Sequence, residues 1–164
     1  MMVTFTEANE QQRWYAVDDG VMGGESFSGF RVEAGSGCFC GEVSLENGGG
    51  FASVRREPNG FEASLANAKG IALTVRGDGR TYQLRLKSTS LGDASAYRVK
   101  FTPSRDAWET LTFPWSAFEA VRRGTLLTNM PAITPSEIHQ LGFLIADRTA
   151  GPFCLQVSEI SAGN

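Results

Sequence analysis

The sequence predicts an antiparallel β-sandwich. Hydrophobic alternation of period two recurs in short segments along the chain, glycine-rich turns separate those segments, and helix signals are poor. Glycine makes up 19 of 164 residues, about 12%, against a usual ~7%. With 41% hydrophobic residues the chain is too apolar for disorder and, with so many turn residues, unlike a helix bundle. One domain over residues 1–164 is expected, long enough to bury a core of its own.

The segments run in order along the chain. Residues 26–33 (SFSGFRVE), 39–45 and 51–56 come first, separated by GSG and by ENGGG. Ile71, Leu73 and Val75 alternate with Ala72, Thr74 and Arg76, and Tyr82, Leu84 and Leu86 alternate with Gln83, Arg85 and Lys87. Residues 97–101, 110–113, 141–146 and 153–160 continue the series. In the last, Phe153, Leu155 and Val157 share one face, and Cys154, Gln156 and Ser158 the other. Only residues 116–121, with Ser116 as cap and Glu119 three positions on, and residues 136–139 read as short helical turns. Short strands joined by glycine turns favour an antiparallel sandwich over a parallel α/β sheet.

Net charge and pI argue against a nucleic-acid partner: the formal charge is −3 and the pI near 5.2, with no overall basic balance. Of the 15 basic residues, 12 are arginine, and only Lys69, Lys87 and Lys100 are lysine. Arginine is favoured at interfaces and in bidentate anion contacts, so the skew points either to binding surfaces or simply to codon composition. The opening MMVTFTEANEQQRW has no apolar run and carries Glu7 and Glu10 ahead of Arg13, unlike a secretory or transit peptide. No stretch approaches the ~18 apolar residues of a membrane span. A cytoplasmic protein with no membrane insertion is the expectation.

Three cysteines (Cys38, Cys40 and Cys154) in such a chain read as reduced thiols. Cys38 and Cys40 fall on the strand face opposite Phe39 and Val43, and their spacing with His139 matches no zinc pattern. No cofactor and no metal are expected.

Catalytic signals are weak. His139 is the single histidine, no G-x-S-x-G elbow or phosphate loop is present, and Gly35, Gly37 and Gly41 have the wrong spacing for a dinucleotide fingerprint. Asp18, Asp19 and Asp78 could act as paired carboxylates or hold a hard cation. Asp before Gly is also ordinary turn chemistry, and Arg76 and Arg80 beside Asp78 would favour charged carboxylates, which opposes a general-acid role. The reading is therefore no enzyme.

Five segments, in order, resemble the complex I intermediate-associated protein 30 family: WYAVDDGVMGGES at 14–26, GGGFASVR at 48–55, VRGDGRTYQLRL at 75–86, WETLTFPWSAF at 108–118 and LGFLIADRTAGPFCLQVSEI at 141–160. The resemblance covers about residues 13–160. It implies a galactose-binding-domain-like jelly roll and a non-catalytic role, as an assembly factor or chaperone whose partners are respiratory complex I subunits or assembly intermediates. Mitochondrial members carry a transit peptide and extra sequence, so this chain is expected to be a bare, bacterial version of the domain.

The candidate binding residues are Asp18, Asp19, Val21, Met22, Gly23, Gly24, Arg76, Asp78, Arg80 and Tyr82. Val21 and Met22 form an apolar pair among glycines that permit close backbone approach, suited to a plastic contact loop. Gly77–Gly79 reads as a hairpin turn with Arg76 and Arg80 at its feet. Asp18 or Asp19 bonding one of those arginines would tie the two segments together, and this scaffolding role is preferred over direct ligand contact. The alternative function is a carbohydrate-binding module, with Trp14, Trp108 or Trp115 as a platform beside Asp78, Arg80 and Asn129, although tryptophans in strand-like runs more often anchor the core.

Overall fold

A computed structural model describes residues 3–22, 24–58, 65–92 and 94–163, apart from the side chains of Val21 and Met22. The strands are β1 (Val3–Thr4), β2 (Trp14–Ala16), β3 (Phe27–Glu33), β4 (Ser36–Val43), β5 (Ala52–Arg56), β6 (Gly70–Arg76) and β7 (Tyr82–Ser88). Next come β8 (Ser95–Phe101), β9 (Glu109–Pro114), β10 (Glu119–Arg122), β11 (Thr125–Leu126), β12 (Ile138–Ile145) and β13 (Gly151–Gly163). They form two antiparallel sheets. One runs β3-β4-β13-β6-β9 with β1 beside the far end of β13; the other runs β11-β10-β8-β7-β12-β5-β2. The predicted sandwich is the observed architecture.

Alternation explains the core. Phe39, Leu155, Val157, Ile71, Leu73 and Val75 of the first sheet meet Val54, Leu84, Leu86, Leu141, Phe143 and Ile145 of the second, all nearly or wholly removed from water. In β13, Phe153, Leu155 and Val157 point inward as predicted, and a bulge between Val157 and Glu159 then shifts the register so that Ile160 also points inward. One end of the core is aromatic: Trp14 stacks on Phe30 with centroids 4.0 Å apart, and Phe5 packs beside both.

Turn chemistry sets several strand boundaries. Ala34 and Gly35 both have positive φ, so the β3–β4 hairpin turns on them, and Ser36 and Gly37, read as turn from sequence, already lie in β4. Residues 116–121 are not a single helical turn: Trp115–Ala117 makes one 3-10 turn and the chain continues as β10. Likewise Pro135–Glu137 makes a 3-10 turn, and Ile138 and His139 belong to β12.

Two expectations are corrected. Gly77–Gly79 is not a hairpin, because β6 pairs with β13 and β9 whereas β7 pairs with β8 and β12, so this segment carries the chain from one sheet to the other. The cysteines are not three reduced thiols: Cys40 and Cys154 face each other directly across β4 and β13, 4.1 Å apart at Cα, and form a disulfide. Cys38 remains free and buried. A separation of 114 residues hides the disulfide from any local reading. Among the described residues no helix is long and apolar enough to cross a membrane.

Candidate functional site

Asp18 and Asp19 link the segment after β2 to three other strands or loops. Asp19 is fully buried, and its carboxylate accepts hydrogen bonds from the backbone N–H groups of Ser26 (2.8 Å), Gly50 (2.6 Å) and Phe51 (3.2 Å). The 46–51 loop and the start of β3 are thereby closed onto one buried anion. Two glycines make the space for it. A Cβ at Gly24 would lie 2.4 Å from Asp19 Cγ, and one at Gly49 would lie 2.5 Å from Oδ2. Burial by itself would raise the Asp19 pKa, but the donated hydrogen bonds outweigh it and hold the carboxyl below its ordinary value.

Asp18 joins the two sheets. Its carboxylate accepts from Ser28 N (3.0 Å) and Ser28 Oγ (2.6 Å) on β3 and from Ser53 N (3.0 Å) on β5. The short 3-10 turn Asp19–Met22 comes directly after it, with its start anchored by both acids. The side chains of Val21 and Met22, and all of Gly23, lie outside the described residues.

Asp78 and Arg80 organise a different corner. Asp78 accepts from Arg80 N (3.1 Å), from the buried Tyr82 hydroxyl (2.9 Å) and from Cys154 N (2.8 Å), which ties the sheet-to-sheet crossover to β13. Burial and then the charge of Asp78 push the Tyr82 hydroxyl far above its usual range, so it remains a proton donor. Arg80 makes a bidentate contact to Asp147 at 2.9 and 2.7 Å and donates to the carbonyls of Gly151, Pro152 and Thr149. Its pKa is raised, first by the bond to Asp147. Asp147 is held below its ordinary value because the Arg80 contacts outweigh the effect of burial.

The anticipated tie between Asp18 or Asp19 and Arg76 or Arg80 is not made. Arg80 pairs with Asp147, Arg76 stands 3.8 Å from Asp106 on an exposed edge, and the first two acids hold backbone amides and a serine instead. The candidate residues thus separate into two carboxylate-centred clamps, in which Asp18, Asp19, Asp78, Arg80 and Tyr82 are engaged with the chain's own groups. Among the tryptophans, Trp14 is buried, Trp115 is half-buried and donates to the Ala68 carbonyl, and Trp108 is exposed. They do not form one platform.

Sequence reading missed two features. Glu10, buried at the start of the chain, accepts from Trp14 Nε1 and from Arg56 Nε, both at 2.8 Å. The second is a groove of about 640 Å³ on the outer face of the second sheet, bounded by Arg55, Arg85, Ala96, Arg123, Gly142 and Leu144. The outward parity of Arg85 in β7 was a usable signal for it, but neighbouring strands could not be assigned from alternation.

Comparison with known proteins agrees with the motif resemblance. The family profile described as complex I intermediate-associated protein 30 matches residues 3–157. The chain is 25% identical over 127 residues to the mitochondrial complex I intermediate-associated protein 30 of Neurospora crassa, covering 75% of this chain and 46% of that one. It is 25% identical over 176 residues to the Mus musculus protein of the same name, covering 95% and 53%. The chain therefore spans about half the length of the curated relatives it matches. Among solved structures, the family 11 carbohydrate-binding module of the cellulosomal cellulase Lic26A-Cel5E of Clostridium thermocellum superposes with a TM-score of 0.68 at 14% identity, covering 100% of this chain and 94% of the module. At that identity the likeness speaks for the galactose-binding-like sandwich fold alone. The relatives also correct the expected location: both are named mitochondrial, which overturns the cytoplasmic reading and lends no support to a bacterial origin.

Proposed function

We propose, from the premise that this chain belongs to the complex I intermediate-associated protein 30 family, that it is a non-catalytic protein-binding module acting in the assembly of respiratory complex I. The observation that carries this reading is the engagement of the candidate acids. Asp18, Asp19 and Asp78 each accept two or more bonds from the protein itself, which suits them to holding loops and not to proton transfer. Their role is to position the loops they anchor. The contact surface is the loop of Val21, Met22, Gly23 and Gly24, where an apolar pair is flanked by glycines and anchored at its base by the first clamp. Arg76, Asp78, Arg80 and Tyr82 hold the second corner, at the crossover between the sheets.

The partners on this reading are complex I subunits or assembly intermediates. The test is co-migration of the purified chain with isolated complex I assembly intermediates on native gels. Val21→Ser with Met22→Ser should weaken that association at unchanged thermal stability. Undiminished co-migration of the double variant would remove the loop from the interface. Failure of the unaltered chain to associate with any intermediate, or turnover of a small molecule abolished by Asp78→Asn in a folded protein, would overturn the assembly reading.

A further inference from the structure

The strand register places an unusual row of side chains across the second sheet. Glu119 on β10 is directly opposite Arg98 on β8, Arg98 is opposite Arg85 on β7, Arg85 is opposite Gly142 on β12, and Gly142 is opposite Arg55 on β5. Tyr15 on β2 completes the row beside Arg55. Paired positions share a face, so three arginines and a glycine line one transverse strip. They point away from the core, because the intervening Leu84, Leu86, Val54 and Phe143 point into it.

Among the described residues of this row, Glu119 is the one carboxylate. Directly opposed like charges disfavour a sheet, and Arg85 and Arg98 are such a pair. Burial, and then Arg98 and Arg55, lower the Arg85 pKa to about 10. Glu119 offers one carboxylate at 3.7 Å from Arg98 Nε, too far for a hydrogen bond, and is itself half exposed. Arg98 is 9% exposed, and its Nε has no hydrogen-bond partner. Arg85 Nε donates to Gln83 Oε1 at 2.9 Å. A buried guanidinium nitrogen without an acceptor is costly, so negative charge brought close to the strip is favoured.

Gly142 adds the space. It separates Arg85 from Arg55 by two strand spacings, on the order of 10 Å. A Cβ there would lie 2.4 Å from the Val54 carbonyl oxygen and 3.4 Å from Arg55 Cγ, so no larger residue fits this floor. The groove above it measures about 640 Å³, within the range of small-molecule sites. Its far wall is the β10–β11 hairpin, whose turn residues Arg123 and Gly124 both have positive φ. Recessed arginines under a groove of this size suit a small molecule better than a flat protein surface.

We propose that this groove binds a small ligand bearing an oxyanion, phosphate or carboxylate, with Arg55 and Arg85, which line it, as its anion-binding residues and Arg98, opposite Arg85, adding positive charge to the strip. Planar guanidinium groups match both oxyanions.

The test is calorimetric titration of the full chain with inorganic phosphate and, separately, with succinate, against sodium chloride at matched ionic strength. Saturable binding of at least one oxyanion is expected, and which one binds distinguishes phosphate from carboxylate ligands. Arg85→Met and Arg55→Met, measured singly, should each weaken it roughly tenfold or more. Arg31→Met, exposed on β3 of the other sheet, should leave it unchanged. Should Arg85→Met not fold, Arg55→Met carries the same test. No binding beyond chloride, or binding indifferent to the groove arginines, overturns the proposal. So does binding of a Glu-rich peptide where phosphate and succinate do not bind, which would assign the strip to an acidic protein segment.

Discussion

The carboxylate of Asp19 fills the space that a side chain at Gly24 would need: a Cβ there would stand 2.4 Å from Asp19 Cγ. The five-residue step from acid to glycine is closed by a further bond, Gly24 N to the Asp19 carbonyl at 2.8 Å. Glycine content in this segment therefore has a packing cause as well as a conformational one.

Gly24→Ala should destabilise the chain by about 2–3 kcal/mol, because the buried acid has little room to move. Asp19→Ala should lower stability by about 3 kcal/mol by leaving the amides of Ser26, Gly50 and Phe51 without an acceptor. Urea unfolding measures both. Wild-type midpoints in either variant would show that the clamp is not formed in solution.

Acid should loosen both clamps. Asp19 and Asp147 both have folded-state pKa values below the ordinary 3.8. A depressed carboxyl contributes stability that is fully present above its unfolded value and is lost as pH falls through the folded one. Stability should therefore fall below about pH 4, and Asp19→Asn combined with Asp147→Asn should flatten that limb of the profile. An unchanged acid limb in the double variant would place the dependence on other groups.

Arg80→Lys keeps the charge but cannot reproduce the fork against Asp147 together with bonds to three carbonyls. A loss of about 2 kcal/mol is expected. Amide exchange should quicken across residues 147–152 and hardly change in β7. Equal protection in the two proteins would count against this clamp.

Glu10 and Arg56 are both buried, with exposures of 8% and 6%, and they are joined by two hydrogen bonds. Glu10→Ala leaves Arg56 charged inside the protein and should lower stability by about 3–5 kcal/mol. Replacing the pair together by Glu10→Leu and Arg56→Met should recover much of the loss. A double variant as unstable as the single one would mean that local packing, not the orphaned charge, sets the effect.

Thiol titration under denaturing conditions without reductant should find one free cysteine per chain, Cys38, and three after reduction. Cys40→Ser with Cys154→Ser should reduce stability by about 4 kcal/mol if closing the long loop acts through the unfolded chain. Three reactive thiols at the outset would show the chain to be reduced.

Much of the strand content was legible in the order of residues. Alternation in Tyr82–Ser88 and in the first half of Gly151–Gly163 assigned the inward faces correctly, because a half-buried strand must put every second side chain in the core. The strands Trp14–Ala16, Glu119–Arg122 and Thr125–Leu126, at or next to the ends of the second sheet, are too short for a periodic signal. Gly77–Gly79 misled because a glycine-aspartate turn looks the same whether the chain returns within one sheet or crosses to another. The candidate acids were identified, but their partners were not. Asp19 reaches an amide 31 residues on, and Arg80 finds its acid 67 residues away.

The order of residues alone determined that this chain makes layered antiparallel strands, that its acids sit in glycine-rich turns, and to which family its motifs belong. Those properties are local, fixed by steric limits on the backbone and by which side chains leave water. Folding in three dimensions decided which strands became neighbours, and with that the joining of Cys40 to Cys154, the choice of Asp147 over Asp18 for Arg80, and the alignment of Arg55, Arg85 and Arg98 in one strip. Pairing register is a relation between distant segments, selected by the joint burial of both inner faces. No single segment carries it.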